Sequence, residues 1–382
     1  MIDFCRARLR SNPRFRLIQH DRLAPAERSE FQSLSEDPDF FGILLPPGGS
    51  KHPPKSVSRD AALLFLSLAE PACLPHLLTS LFGSDANDRL RQLVLDDVLE
   101  VEHAGGFVSG PAVLELLKDD SGTPPVSRVA QLSSDAIAYA AALELLELHQ
   151  VAGRLYLFNT SPSTPALQWR FATVERQLTF VSGSGVAARQ LRTQWRGEPV
   201  NDGWLAWSGQ HTTGASYKLY VSPRLDDLPA VFAAAIESFA RAGCSRFKLG
   251  LGAYGLLRPD KLVAYFAELD QVLNAAELVK RSAGGARTQG VPFSAAIDAD
   301  GLVSWGMDPP RFEQVPAGRE YQSWRHWLTE RVAVYAMAAG QAGCDVHAFV
   351  RQRIALDGVD PSSWNPNLAI WRGPVGTEQE AA

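Results

Sequence analysis

The chain has 382 residues, 46% hydrophobic and 21% charged, a globular balance without the charge excess of a disordered chain. With 37 Lys and Arg against 42 Asp and Glu, its net charge of −5 argues against an electrostatic grip on nucleic acid, which needs a basic face. No apolar run approaches the roughly 18 residues of a membrane span, and Cys5, Cys73, Cys244 and Cys344 are too scattered for a zinc spacing or a disulfide framework.

A soluble cytoplasmic protein without a metal is therefore expected, with no membrane and no nucleic-acid partner. The opening MIDFCRARLRSNPRFR carries charges but no apolar segment after them, so no secretory signal is visible. Its basic run from Arg6 to Arg16 is short. At roughly 100–200 residues per domain, the length predicts two or three domains.

In chain order, PPGGSKHPPK at 46–55 must be loop. Asp60 then caps a helix over AALLFLSLA, a second short helix runs from Pro75 to Phe82, and Asp85 caps NDRLRQLVLDD. VLEVEHAGGFVSG reads as two strands around a Gly-Gly turn. Three helices and a hairpin make a winged-helix pattern, but Asp96, Asp97, Glu100 and Glu102 would oppose phosphate. The block also resembles the small peptide-binding module of the PqqD type, through RDAALLFLSL and RLRQLVLDDVLEVE; a purely structural winged helix is the competing reading.

Ser133 to His149 reads as one strong helix and RLYLFN at 154–159 as a strand, while 160–215 shows too little periodicity for assignment. From Tyr217 the pattern sharpens. YKLYVSP is a strand, LPAVFAAAIESFARAG a helix ended by Gly243, and SRFKLGL a strand; LRPDKLVAYF adds a strand and DQVLNAAELVKRS a helix. Two further helices, in SWRHWLTERVAVYAMAAGQAG and HAFVRQRIALDG, close the chain. The fold class expected is α+β: a winged-helix-like module over 1–115, then over 116–375 a mixed β-sheet packed with helices.

Lys218 and Lys248 both interrupt apolar strands, where a lysine needs solvent or a charged partner. Either alone reads as a surface residue. Together, on the paired strands of one β-α-β unit, they can share a face and form a cationic pocket. Arg258 and Asp260 in LLRPDK add a phosphate-gripping fork and a carboxylate to orient it, or else form a turn with a surface ion pair. GLGAYG at 250–255 has the wrong spacing for a dinucleotide fingerprint and reads as a flexible loop whose amides could help hold an anion. Phosphate-loop, zinc-protease, nucleophile-elbow and kinase motifs are absent from the sequence.

Over roughly 155–365, the series KLYVSP, FKLG, RPDKLVAYF and GVPFSAAIDADGLVSWGMDPP resembles the HopA-type effector domain family. Its members occur as bacterial type III effectors and beside kinase-like proteins in lanthipeptide and thioamide peptide pathways. The resemblance implies a phospho-Ser/Thr lyase: a kinase-like partner phosphorylates a precursor peptide, and this protein eliminates the phosphate to leave a dehydroamino acid.

Such chemistry needs a base for the α-proton and cations for the phosphate, and no cofactor. Lys218 and Lys248 are the candidate bases, with Arg258 and Arg287 on phosphate and Asp260 as orienter. Phosphothreonine lyases use a histidine as acid, which makes His211 the candidate here, against the reading of an exposed loop histidine. His326 and His347 read as packing or surface residues. The alternative to catalysis is an effector or binding protein that docks a phosphorylated partner on the same cationic face.

Overall fold

A computed structural model of the chain describes residues 2–31, 34, 37–48, 54–117, 125–143, 147–198, 200, 203–209, 216–309 and 323–368. These residues form an α+β protein of two compact units. The first is drawn from 2–117 and 335–357, the second from 125–309, 323–334 and 358–368.

The first unit opens with strands where sequence patterning gave none: β1 (Arg8–Ser11), β2 (Arg16–Gln19), helix α1 (Pro25–Glu30), β3 (Phe40–Leu45) and β4 (Lys55–Ser58). β2, β3 and β4 make one antiparallel sheet. The three expected helices follow as α2 (Arg59–Ser67), α3 (His76–Phe82) and α4 (Ala86–Leu95), with the short β5 (Ala72–Cys73) between the first two. The caps differ from expectation. Ser58, not Asp60, accepts the α2 amide of Ala61, and Asp85 makes no side-chain cap bond. Asp60 instead pairs with Arg89.

The hairpin is β6 (Leu99–His103) and β7 (Gly106–Val108), turning through Ala104 and Gly105 at φ 50° and 81°. β6 also pairs with β1, giving a four-stranded order β5-β1-β6-β7. Across that pairing Arg8 meets Glu102 and Arg10 meets Glu100, so part of the basic opening and part of the acidic run neutralise each other.

In the second unit, α5 (Arg128–Ala141) is capped by Ser127 and α6 (Leu148–Tyr156) follows. The single long helix and the strand at 154–159 are thus corrected. Val151, Ala152 and Leu155 bury one helical face, and an apolar run that short satisfies both periodicities. The segment left unassigned folds as α7 (Pro165–Arg170), α8 (Val174–Ser182), α9 (Val186–Gln194), β8 (Arg196–Gly197) and β9 (Trp204–Ser208).

Then come β10 (Tyr217–Val221), α10 (Leu228–Arg241), β11 (Arg246–Gly250), α11 (Gly252–Leu257), β12 (Leu262–Phe266), α12 (Leu269–Ser282), β13 (Ala295–Ala296) and β14 (Val303–Met307). The last helices are α13 (Trp324–Ala342) and α14 (Val346–Leu356). Gly243, at φ 77°, ends α10 as expected, with Cys244 N–H returning to Phe239 O.

The main sheet runs β13-β14-β10-β12-β11-β9-β8. β10 and β11 point the same way but are split by β12, so every ladder between them is antiparallel. The pairing register gives the faces. Leu219, Phe247, Leu249, Ala264 and Phe266 are fully buried on one face. There Phe232 and Phe239 of α10 stack edge-on or tilted against Phe247. Each such side chain contributes about 1.5–3 kcal/mol by leaving water. This apolar face fixes which residues must emerge on the other.

Candidate active site

Because strand side chains alternate, the same register sends Lys218, Tyr220, Lys248, Val263 and Tyr265 to the opposite face. Lys218 lies across from Tyr265 and Lys248 across from Val263 on the shared neighbour β12. The two lysines therefore do share a face, though their strands are not paired with each other. Their amines lie 5.7 and 5.8 Å from the centre of the Tyr265 ring.

The two amines differ in company. Lys218 is buried and forms an ion pair with Asp308, the aspartate of GMDPP just beyond β14. Burial lowers its pKa from the ordinary lysine value, and Asp308 pulls it back up. Lys248 lies 4.0 Å over the Trp204 ring, and no hydrogen bond or ion pair to its amine occurs among the described residues. Burial lowers its pKa to about 8, with the charges of Lys218, Arg258 and Arg246 pressing the same way and Asp260 opposing. With a pKa of about 8, roughly a tenth of such an amine is neutral at pH 7.

Arg258 and Asp260 form a largely buried pair, not an ion pair on a surface turn. Asp260 is 3% exposed and takes two parallel bonds from Arg258, both 2.9 Å, plus the Tyr156 hydroxyl at 3.2 Å. Arg325, 1% exposed, brings Nη1 to 2.8 Å from Oδ2 of Asp260, off the N–H axis, so that contact is Coulombic. Its Nε and Nη2 donate to Pro292 O and Tyr156 O. Burial alone would raise the Asp260 pKa; Arg325 and Arg258 outweigh it and hold the carboxyl well below the usual carboxylate range. Burial likewise raises the Tyr156 phenol, which keeps its proton for the bond to Asp260.

The Arg258 guanidinium lies 4.9 Å from the Trp204 ring and 5.3 Å from Tyr156. The Trp204 ring thus borders both Lys248 and Arg258. Arg258 spends Nε and Nη2 on Asp260 and Tyr156, while Nη1 has no hydrogen bond among the described residues. This leaves one planar donor at a partly exposed position.

Other sequence candidates are placed elsewhere. Arg287 is exposed and bonded to Asp226 and Asp227, so its contacts are outside the lysine face. His211 lies outside the described residues. His326, next to Arg325, lies 3.3 Å from Glu330 with its ring 6.1 Å from that of Tyr156.

GLGAYG is a built corner, not an anion-holding loop. Gly250 and Gly255 touch so closely that a Cβ on Gly250 would lie 2.3 Å from Gly255 O. The Gly252 amide is already given to Gln177, whose own amide donates to Gly250 O.

Tyr156, Asp308 and Arg325 were missed from sequence. Tyr156 fell in a misread strand, and only burial distinguishes Arg325 from the other charges of its helix. Asp308 sits in the GMDPP motif and could have been flagged as the carboxylate nearest a strand end. Among the described residues no cluster of three or more His, Cys, Asp or Glu could hold a metal ion, and no helix is long and apolar enough to cross a membrane. Two surface hollows are lined by other residues: about 520 Å³ lined by His20, Phe40 and Leu66 in the first unit, and about 650 Å³ lined by His149 and Arg154 in the second.

No family model matches the chain, and no curated protein matches it. Several solved structures are similar at a low level. An effector protein from Pseudomonas syringae pv. tomato strain DC3000 is 11% identical, covering 62% of this chain and 98% of its own, with a TM-score of 0.37. One from Pseudomonas syringae pv. syringae strain 61 is 12% identical over 63% and 100%, at 0.36. A phosphothreonine lyase effector protein of Chromobacterium violaceum is 10% identical over 30% and 65%, at 0.24.

Proposed function

We propose that the protein is a phospho-Ser/Thr lyase that acts on a precursor peptide phosphorylated by a kinase-like partner, in ribosomal peptide modification. The observation that carries this reading is the Lys248 amine, which has no carboxylate partner among the described residues and a pKa lowered to about 8, set among the cations Lys218 and Arg258. β-Elimination asks for that combination, a neutral base beside positive charge that receives phosphate.

In the step proposed, neutral Lys248 removes the α-proton of the phosphorylated residue. The Cα–H electron pair becomes the Cα=Cβ double bond, the Cβ–O bond breaks, and its pair leaves on phosphate. Arg258, held flat by Asp260, Tyr156 and Trp204, offers Nη1 to the phosphate, and Lys218 adds a second charge. His211 is the proposed acid for the leaving oxygen. Asp260 orients Arg258 and stays ionised throughout.

The first unit is proposed to hold the rest of the peptide. Its hollow, lined by Phe40, Phe41, Leu63 and Leu66, supports that role, since Leu63 and Leu66 remain 39% and 57% exposed on α2. The test is the intact mass of a phosphorylated precursor peptide incubated with the full chain. Loss of phosphoric acid that disappears in Lys248→Met supports the lyase; a peptide that binds with unchanged mass overturns it and leaves a phosphopeptide-docking protein.

A further inference from the structure

A buried carboxamide joins the chain segments that carry Tyr156, Arg258 and Asp260. Gln289, 6% exposed, accepts at Oε1 from the Lys261 amine at 2.6 Å and donates from Nε2 to Asn159 O at 2.6 Å and Leu257 O at 3.0 Å. Backbone carbonyls can only accept, so the amide has one possible orientation: its NH₂ must face Asn159 O and Leu257 O, which turns its carbonyl to accept from Lys261.

The positions of those partners give the clamp its meaning. Asn159 lies three residues beyond Tyr156, Leu257 directly precedes Arg258, and Lys261 directly follows Asp260. Asn159, at φ 66°, returns two bonds of 2.9 Å to the carbonyls of Gln289 and Gly290. Between Arg258 and Asp260, Pro259 O is held by the Ser222 hydroxyl at 2.6 Å, and Ser222 O accepts from the Gln289 backbone N–H at 2.8 Å.

Lys261 is fully buried, and its amine has two neutral acceptors, Pro223 O at 2.9 Å and Gln289. A neutral amine has two N–H groups to match them, and burial lowers its pKa to about 7 against the pull of Asp260.

We propose that Gln289, oriented by Asn159 O and Leu257 O with its carbonyl on Lys261, is a positioning residue: it sets the helix bearing Tyr156 against the turn bearing Arg258 and Asp260, and so fixes the guanidinium that receives phosphate. For its substrate this rests on the lyase reading; the geometry it sets can be measured without that reading. In Gln289→Glu one carboxylate oxygen stays on Lys261 while the other faces the two carbonyls in place of an NH₂, which drives the segments apart, and Gln289→Met removes the bonds without adding charge.

The experiment uses the full chain and two readouts: phosphate release from a phosphorylated precursor peptide, and pH-dependent amine labelling of Lys248 read by mass spectrometry, with folding checked by circular dichroism. Both variants should lose kcat by about 10- to 100-fold, the scale of a misplacement of about 1 Å. Their Lys248 labelling midpoint should move from the wild-type value, because Asp260 and Arg258 both act on that amine. Wild-type kcat and an unmoved midpoint, with only the melting temperature lowered, would overturn the proposal. If the wild type releases no phosphate, the lyase reading fails and the labelling midpoint alone judges Gln289: a shift supports positioning, no shift ends it. Should Gln289→Glu not fold, Gln289→Met decides by the same criteria.

Discussion

Lys218 and Lys248 meet the ring of Tyr265 at nearly equal distances, 5.7 and 5.8 Å, yet of the two it is Lys218 that is paired with a carboxylate, Asp308. Both positions follow from one register, since β12 pairs with both lysine strands and presents Tyr265 and Val263 on the same face. The asymmetry separates two roles that the sequence left open. Asp308 favours the charged form of Lys218, whereas burial and the repulsion of neighbouring cations make Lys248 give up its proton more easily.

The first prediction is a pH profile. Lys248 must be neutral to act as base, so kcat/KM for phosphate release should rise with pH toward about 8 and level above it. Lys248→Met should lose about 10²- to 10⁴-fold, the ordinary worth of a positioned base. Lys218→Met should retain the acidic limb and lose affinity for phosphopeptide. A rate that is level across this range, or a Lys248→Met variant with wild-type turnover, would remove Lys248 from the chemistry.

A second prediction concerns the buried carboxylate. Asp260→Asn leaves Arg325 at 1% exposure without its counter-charge, and breaking a buried pair from one side costs about 3–5 kcal/mol. The folded-state pKa of Asp260 lies below the ordinary aspartate value of 3.8. Its stabilisation is therefore present above about pH 4 and lost as pH falls toward the depressed folded value. Urea titrations should show wild-type stability dropping through that acid window and a shallower drop in Asp260→Asn. Parallel acid curves would mean that Asp260 is already uncoupled from Arg258 and Arg325.

Lys261 has the opposite linkage. Its folded pKa of about 7 lies below the unfolded lysine value of 10.5, so between these pH values the unfolded chain binds more protons. Stability must then rise with pH across that window, by about 1.4 kcal/mol per pH unit for one such group. Lys261→Met should flatten the rise by about one proton's worth in denaturant melts made at several pH values. An unchanged slope would show that Lys261 is charged in the folded protein and that another group answers the charge.

How much was legible depended on whether the signal was local. Alternation in YKLYV and the 3.6-residue period of LPAVFAAAIESFAR are local, and both elements stand where periodicity put them. Tyr156 was lost because RLYLFN is too short for its period to decide between strand and helix, and the helix wins by burying Leu155 and Val151. Lys218 and Lys248 could be paired from sequence because strand parity is local; that β12 lies between their strands is a long-range fact. Arg325 and Asp308 become site residues only when α13 and β14 bring them to Asp260 and Lys218. The hairpin β6–β7 was legible in the first unit, but β1 was invisible for a related reason: it is held by β5 and β6, whose partner positions lie more than 60 residues away.

The last prediction tests the packing behind Lys218. Gly306 lies directly across the ladder from Lys218, and a Cβ there would lie 2.6 Å from Cδ1 of Trp324, a fully buried ring at the start of α13. The obstacle is the base of an indole ring, with no flexible end that could yield. Overpacking of this kind costs about 1–3 kcal/mol. Gly306→Ala should therefore lower the melting temperature, and because Arg325 follows Trp324 on the same turn of helix, any displacement of the ring also moves the guanidinium off Asp260. The expected signature is a coupled one: loss of stability together with weaker phosphopeptide binding in protein that is still folded. Loss of stability with wild-type binding would show that α13 yields without carrying Arg325, and would detach the Trp324 packing from the site.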